Sequence, residues 1–174
     1  IMFRYTRDLG PIDWRHGQAH ALYWAKRGTE LGDVRFNNPE EIYKVLNTDR
    51  LVLQAMQDLA RYGRITFDPF STELPSRFPE PRWIPSIEQY FLAMYQTHYD
   101  TRGGGGDTFV DFLTNFMGSA IREAYRSGET ARAQEMLDLL DEKFGRGANP
   151  PNNAYAIPLD IFVRNEIREQ YEFQ

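Results

Sequence analysis

The sequence predicts an all-α fold in which five to six helices pair as antiparallel hairpins. Three observations carry this expectation. Apolar residues recur at intervals of three and four over most of the chain, the spacing of a helix that buries one face. Two such stretches are separated by a break of only one or two residues at Gly128, which makes them antiparallel neighbours. No run alternates as a half-buried strand would, and only residues 65–67 read as a short extended piece.

The elements follow in chain order. The stretch "GPIDWRHGQAHALYWAKRG", residues 10–28, reads as a packing helix that stops at Gly28. Residues 39–62 form one long helix, with Asn38 as N-cap, Pro39 at the first helical position, and Glu40 and Glu41 facing the positive end of the dipole. Its apolar stripe runs through Val45, Val52, Leu53, Met56 and Leu59, and Asn47 and Thr48 loosen it locally. Five prolines and the aromatics Phe67, Phe70, Phe78 and Trp83 lie within residues 64–85. Prolines stiffen such a segment and aromatics give it surface to bury, so it should wrap the helices. In "PSIEQYFLAMYQTHY", Ser86 and Gln89 suggest a capping box that opens a helix carrying Ile87, Phe91 and Tyr95.

The run "TRGGGGD" has little to order it, and a hinge is expected at 102–107. Residues 108–127 form the clearest helix, capped by Asp107 or Thr108 and closed by Gly128 in the left-handed conformation. Ala133, Met136, Leu137, Leu140 and Phe144 repeat the stripe until Gly145. After a turn-rich connection, Phe162, Val163, Ile167 and Tyr171 mark a last helix.

At 174 residues the chain fits a single helical domain, able to bury roughly 70% of the surface its unfolded form exposes. The start "IMFRYTRDLG" suggests a fragment of a longer protein, so an anchor could lie upstream. A net charge of -5 argues against a nucleic-acid partner, because neutralising phosphates needs a positive surface. The absence of cysteine excludes disulfides, thiolate metal sites and a cysteine nucleophile. No apolar run approaches the ~20 residues of a membrane span. Arginine outnumbers lysine 17 to 3 among the 20 cations, which suits bidentate or stacking recognition, though genomic base composition explains it as well.

Three helical stretches end alike, in "AKRG" at Gly28, "ARYG" at Gly63 and "YRSG" at Gly128. Residues 116–150, with Gly128 at the turn, Ala133 five residues on, and Leu137 and Leu140 beyond, resemble a tetratricopeptide repeat. "HALYWAKRG" is similar to the first helix of another such unit, with Ala21, Trp24 and Gly28 in the matching places. No second helix with its small residue follows Gly28, and the helix over 39–62 is too long for the repeat. The resemblance implies a helical-repeat-like array that serves as a partner-binding scaffold.

On a continuous helix Asp13, His16, His20, Trp24 and Arg27 share a face. A histidine pair four apart can reach one metal ion, with Asp13 or His98 as third ligand. The sequence is HGQAH, which lacks the glutamate of a metalloprotease helix. In the competing account Gly17, Ala21 and Ala25 make a flat ridge for a neighbouring helix, flanked by Trp14, Leu22 and Trp24, and the histidines bond the indoles. Glu135, Asp138, Asp141 and Glu142 read as a solvated outer face rather than a catalytic pair. Ser71, Ser76, Ser86 and Ser119 lack the context of a nucleophile. The stretch "RGGGGDT" lacks the lysine and preceding strand of a phosphate loop.

These readings converge on a module that binds a protein or peptide partner, with no catalysis and no cofactor expected. The expected contact residues are Trp14, Arg15, Trp24, Trp83 and Tyr95, brought to one face if the proline-rich segment folds back. Two alternatives stand beside it: a small metal-dependent enzyme or metal-binding protein centred on Asp13, His16 and His20, and a carbohydrate-binding module using exposed tryptophans.

Overall fold

A computed structural model describes residues 1–35, 42–102 and 107–172. The all-α expectation holds: seven α-helices and one two-stranded ribbon form among the described residues. The chain falls into two compact units, Ile1–Gly103 and Gly104–Gln174. The hinge expected at 102–107 centres on residues 103–106, which lie outside the described residues, as do the cap Asn38 and the positions Pro39, Glu40 and Glu41.

In the first unit, α1 (Met2–Leu9) precedes α2 (Gly17–Arg35), α3 (Ile42–Tyr62), β1 (Arg64–Thr66), β2 (Ser76–Phe78), a 3₁₀ turn at Pro81–Trp83 and α4 (Ile84–Arg102). The helix α1 is an addition to the sequence reading. It buries Tyr5 and Leu9, and the Tyr5 hydroxyl donates to the Glu30 carboxylate of α2 at 3.2 Å. The core of the unit gathers on α3, whose Val52, Leu53, Met56 and Leu59 are almost fully buried. Leu22 of α2 and Ile87 and Phe91 of α4 join them.

Helix α2 departs from expectation at both ends. It begins at Gly17, so Asp13 and His16 precede it, and it runs through Gly28 to Arg35. A glycine inside a helix costs about 1 kcal/mol relative to alanine. Here it permits a close approach: a methyl group at Gly28 would stand 3.1 Å from Cγ2 of Thr48 on α3. The ridge expected at Gly17, Ala21 and Ala25 is not the contact. Nothing lies within 4 Å of a side chain built at Gly17, and Ala21 is exposed. The buried positions are instead Ala19, Leu22 and Thr29.

The proline-rich segment is an antiparallel hairpin, with Arg64 opposite Phe78, Ile65 opposite Arg77 and Thr66 opposite Ser76. The extended piece expected at 65–67 is β1, and its partner β2 was not foreseen. Trp83 alone among the segment's aromatics reaches the core, at 0% exposure. Fully burying a large apolar side chain contributes roughly 1.5–3 kcal/mol, and Trp83 anchors the end of the segment in the core. The capping box at Ser86 is not used, because the helical turns start earlier. Glu80 accepts the Arg82 N–H and pairs with the Arg82 guanidinium at 2.6 Å, while Pro81 and Pro85 occupy first-turn positions that need no N–H.

The second unit is the hairpin of α5 (Asp107–Arg126) and α6 (Thr130–Phe144), with α7 (Leu159–Glu172) packed against α5. Gly128 sits at φ 85°, and the turn closes as a Schellman motif. The Glu129 N–H donates to Ala124 O at 2.8 Å and the Gly128 N–H to Tyr125 O at 3.1 Å. Asp141 corrects the expectation of a solvated acidic face. It is buried, and its carboxylate caps the end of α6 by accepting from the Arg146 N–H at 3.1 Å and from its guanidinium. That ion pair holds the Asp141 carboxyl below the usual carboxylate range.

Candidate functional site

Among the residues singled out from sequence, Asp13, His16 and His20 do not converge. Because α2 starts only at Gly17, the helical face that would align them does not exist. His16 is the residue immediately before the helix, and its imidazole Nδ1 accepts the Gln18 N–H at 3.1 Å, satisfying one of the unpaired donors of the first turn. This bond requires a lone pair on Nδ1, so the proton of the neutral ring sits on Nε2. The ring is 4% exposed, and Nε2 meets no hydrogen-bond partner among the described residues. Burial and the cation of Arg77 push the His16 pKa below its ordinary value, against the opposing pull of Asp13 and Asp58.

Asp13 is committed elsewhere. Its carboxylate accepts from Nε of Arg15 at 2.9 Å and from Nη2 at 2.5 Å, and this pairing lowers its pKa. His20 is exposed, its ring steeply inclined to that of Trp14 with centroids 6.4 Å apart. No group of three metal-ligating side chains occurs among the described residues. The side chain of His98 lies outside them.

The expected aromatic face does not assemble either, since Trp83 is wholly buried. Trp14 is half-buried, donating its indole N–H to Thr6 Oγ1 at 3.0 Å and meeting Tyr23 edge-on. Tyr95 stacks on Phe91 with ring centroids 6.3 Å apart. Trp24 stands outward from α2 at 69% exposure, steadied by a perpendicular contact with Tyr23 at 5.0 Å.

Arg15 acts as a clamp. Besides its pairing with Asp13, its guanidinium donates to the Ile65 carbonyl of β1 at 3.2 Å and lies 5.6 Å above the Phe67 ring. The hairpin is thereby tied to the connection between α1 and α2. Its loop is ordered from within, because Asp68 Oδ1 accepts the Phe70 N–H at 2.9 Å and Ser71 Oγ accepts the Glu73 N–H at 3.0 Å.

This clamped loop exposes apolar residues, three of which the sequence reading had turned inward against the helices. Phe70 is 96% exposed, Leu74 89% and Phe67 55%, and Phe78 is also outward. The signal was present in the sequence, since Pro69, Pro75 and Pro79 interrupt the aromatics and leave too few consecutive residues to lay them on the helices. Thr66, Phe67, Asp68, Glu73, Leu74 and Ser76 line a shallow depression of about 260 Å³ beside the loop. Such an arrangement can hold and orient a ligand side chain. Comparison with family models, curated proteins and solved structures finds no match to this chain.

Proposed function

We propose that the chain is a protein- or peptide-binding module whose contact surface is the β1–β2 hairpin. The observation that carries this reading is the near-complete exposure of Phe70 and Leu74 on a loop held by its own turns and by Arg15. Exposed large apolar groups on a pre-ordered scaffold lose little entropy on binding, which is what interface anchors need. The α5–α6 hairpin supports a helical-repeat kinship for the scaffold, with Gly128 at its turn and Ala133, Leu137 and Leu140 buried along α6.

The test is selection of a displayed 12-residue peptide library on the full chain, followed by binding to the Phe70→Ser, Leu74→Ser double variant. Loss of two anchors of about 2 kcal/mol or more each predicts at least about a hundredfold weaker binding with an unchanged helical spectrum. Peptides that bind wild type and double variant alike refute the reading.

A second reading rests on Trp24, exposed on the same face of α2 as His20 and Arg27, where a flat indole beside polar groups suits stacking on a sugar ring. Quenching of tryptophan fluorescence by a panel of oligosaccharides, lost in Trp24→Ala, is the expected result for that function.

A further inference from the structure

The ribbon is built against strand addition. Ile65 turns its carbonyl to the Arg15 guanidinium, so that carbonyl lies on the edge of β1 away from β2. Partners across an antiparallel pair direct their N–H and C=O groups alike, both toward each other or both outward. Arg77, the partner of Ile65, therefore faces its backbone groups away from β1. Two residues to either side of it stand Pro75 and Pro79, which have no N–H to offer. Arg15 closes one edge and two prolines blunt the other, as short ribbons do to escape pairing with another chain. Recognition at this hairpin falls to side chains.

Those side chains are apolar and acidic. The loop over 67–75 carries Asp68 and Glu73 and no Lys or Arg, within a chain of net charge -5. Among the described residues no cation pairs with either carboxylate. The cations of the hairpin's base are engaged elsewhere: Arg15 pairs with Asp13, Arg64 stacks on Phe78 and acts on the charge of Glu80, and Arg77 acts on His16. The depression beside the loop is lined mainly by polar groups, Thr66, Asp68, Ser71, Glu73 and Ser76, and suits the head of a cation better than an apolar side chain. Phe70 and Leu74 are almost wholly exposed, so the surface that covers them must come from a partner. A second copy of the chain or an anionic bilayer would bring further negative charge against the two carboxylates, whereas a cationic protein surface answers both features.

We infer that the loop docks on a cationic protein partner side chain to side chain, with no strand added to the ribbon. Apolar groups of the partner cover Phe70 and Leu74, and Lys or Arg beside them meet Asp68 and Glu73. The inference rests on the peptide-binding reading above and adds the partner's charge and the mode of contact.

Displayed peptides that depend on Phe70 and Leu74 decide the matter. They are expected to carry Lys or Arg next to their apolar residues. The Asp68→Asn, Glu73→Gln double variant keeps the turn, because the Asn carbonyl still accepts the Phe70 N–H, and should bind them about fivefold more weakly. Raising salt from ~0.1 M to ~1 M should weaken wild-type binding and leave that of the neutral variant nearly unchanged. Glu73→Lys should lose more, and a peptide with its Lys changed to Glu should regain affinity for it. Peptides N-methylated at alternate backbone amides should bind as before, because no ladder of backbone bonds forms. Circular dichroism of each variant separates lost contact from lost fold. Ligands that need Phe70 and Leu74 but ignore both carboxylates, or that fail once N-methylated in either register, overturn this inference and leave the peptide-binding reading standing. Binding through Phe70 and Leu74 to vesicles of phosphatidylcholine and phosphatidylserine at four to one, or a dimer in sedimentation that Phe70→Ser, Leu74→Ser abolishes, overturns it as well. If no peptide depends on Phe70 and Leu74, both readings fall.

Discussion

Gly10 and Trp83 lie in contact so close that a methyl group on Gly10 would stand 2.8 Å from two atoms of the indole ring. Gly10 also adopts φ 144°, a conformation that side-chain-bearing residues rarely enter. The residue that ends α1 is therefore glycine for two independent reasons, and the ring it admits is the deepest anchor of the proline-rich segment. Gly10→Ala combines backbone strain with overpacking and should cost about 2–4 kcal/mol, read from urea unfolding of unit Ile1–Gly103 followed by tryptophan fluorescence. An unchanged midpoint refutes the packing described.

Gly128 provides the contrast. Its φ of 85° calls for glycine, yet nothing lies within 4 Å of a side chain built there. Gly128→Ala should cost only the left-handed backbone penalty, about 1–2 kcal/mol, and Gly128→Asn less, measured by thermal unfolding. A loss as large as that at Gly10 indicates contacts beyond the turn.

His16 makes stability depend on pH. Its folded pKa is pushed down, so at acid pH the unfolded chain binds a proton that the folded chain resists. The groups that face it are Arg77 on β2, Asp58 on α3 and Asp13 in its own connection. Stability from this group is complete above its unfolded value near 6.5 and declines as pH falls through the window below that value, levelling off beneath the folded pKa. Asn is a good N-cap that does not titrate, so His16→Asn should keep α2 intact while flattening that part of the curve. His16→Ala should lose about 1 kcal/mol at pH 8. Melting temperatures between pH 5 and 8 check both.

Glu166 carries the opposite sign. Its half-buried carboxyl is pushed above the ordinary value, first by burial and then by Glu169, with Arg122 opposing. A raised carboxyl pKa leaves stability complete below the unfolded value and reduces it as pH climbs toward the folded one. Glu166→Gln should therefore raise the melting temperature of unit Gly104–Gln174 modestly at pH 7 and leave it little changed at pH 4, provided the amide keeps its place beside Gly118. A fall at pH 7 shows instead that attraction to Arg122 outweighs burial.

The clamp at Arg15 predicts a local effect. Arg15→Ala removes the bond to the Ile65 carbonyl and the stack on Phe67. Amide hydrogens in the hairpin should then exchange faster while those of α3 keep their protection, as read by mass spectrometry.

The helical stretches were legible because burial of one face leaves a periodic mark. The α5–α6 turn was legible because a left-handed Gly128 closes it by local bonds alone. The short α1 carries such a mark, with Tyr5 and Leu9 four apart on its buried face, but it is spread over only two turns and the sequence reading passed over it. The segment 64–85 was recognised as stiff and aromatic, but its aromatics were expected to turn inward, and all except Trp83 turn outward.

Helix periodicity, the turn at Gly128, the charge balance and the want of cysteine were determined by the residues themselves, because each is a property of neighbours along the chain. Where α2 begins, that His16 is a cap, that Trp83 enters the core through the space left by Gly10, and that Arg15 ties down a hairpin fifty residues away were decided only in tertiary structure. These outcomes turn on which distant surfaces compete for the same buried space, and local spacing carries no record of that competition.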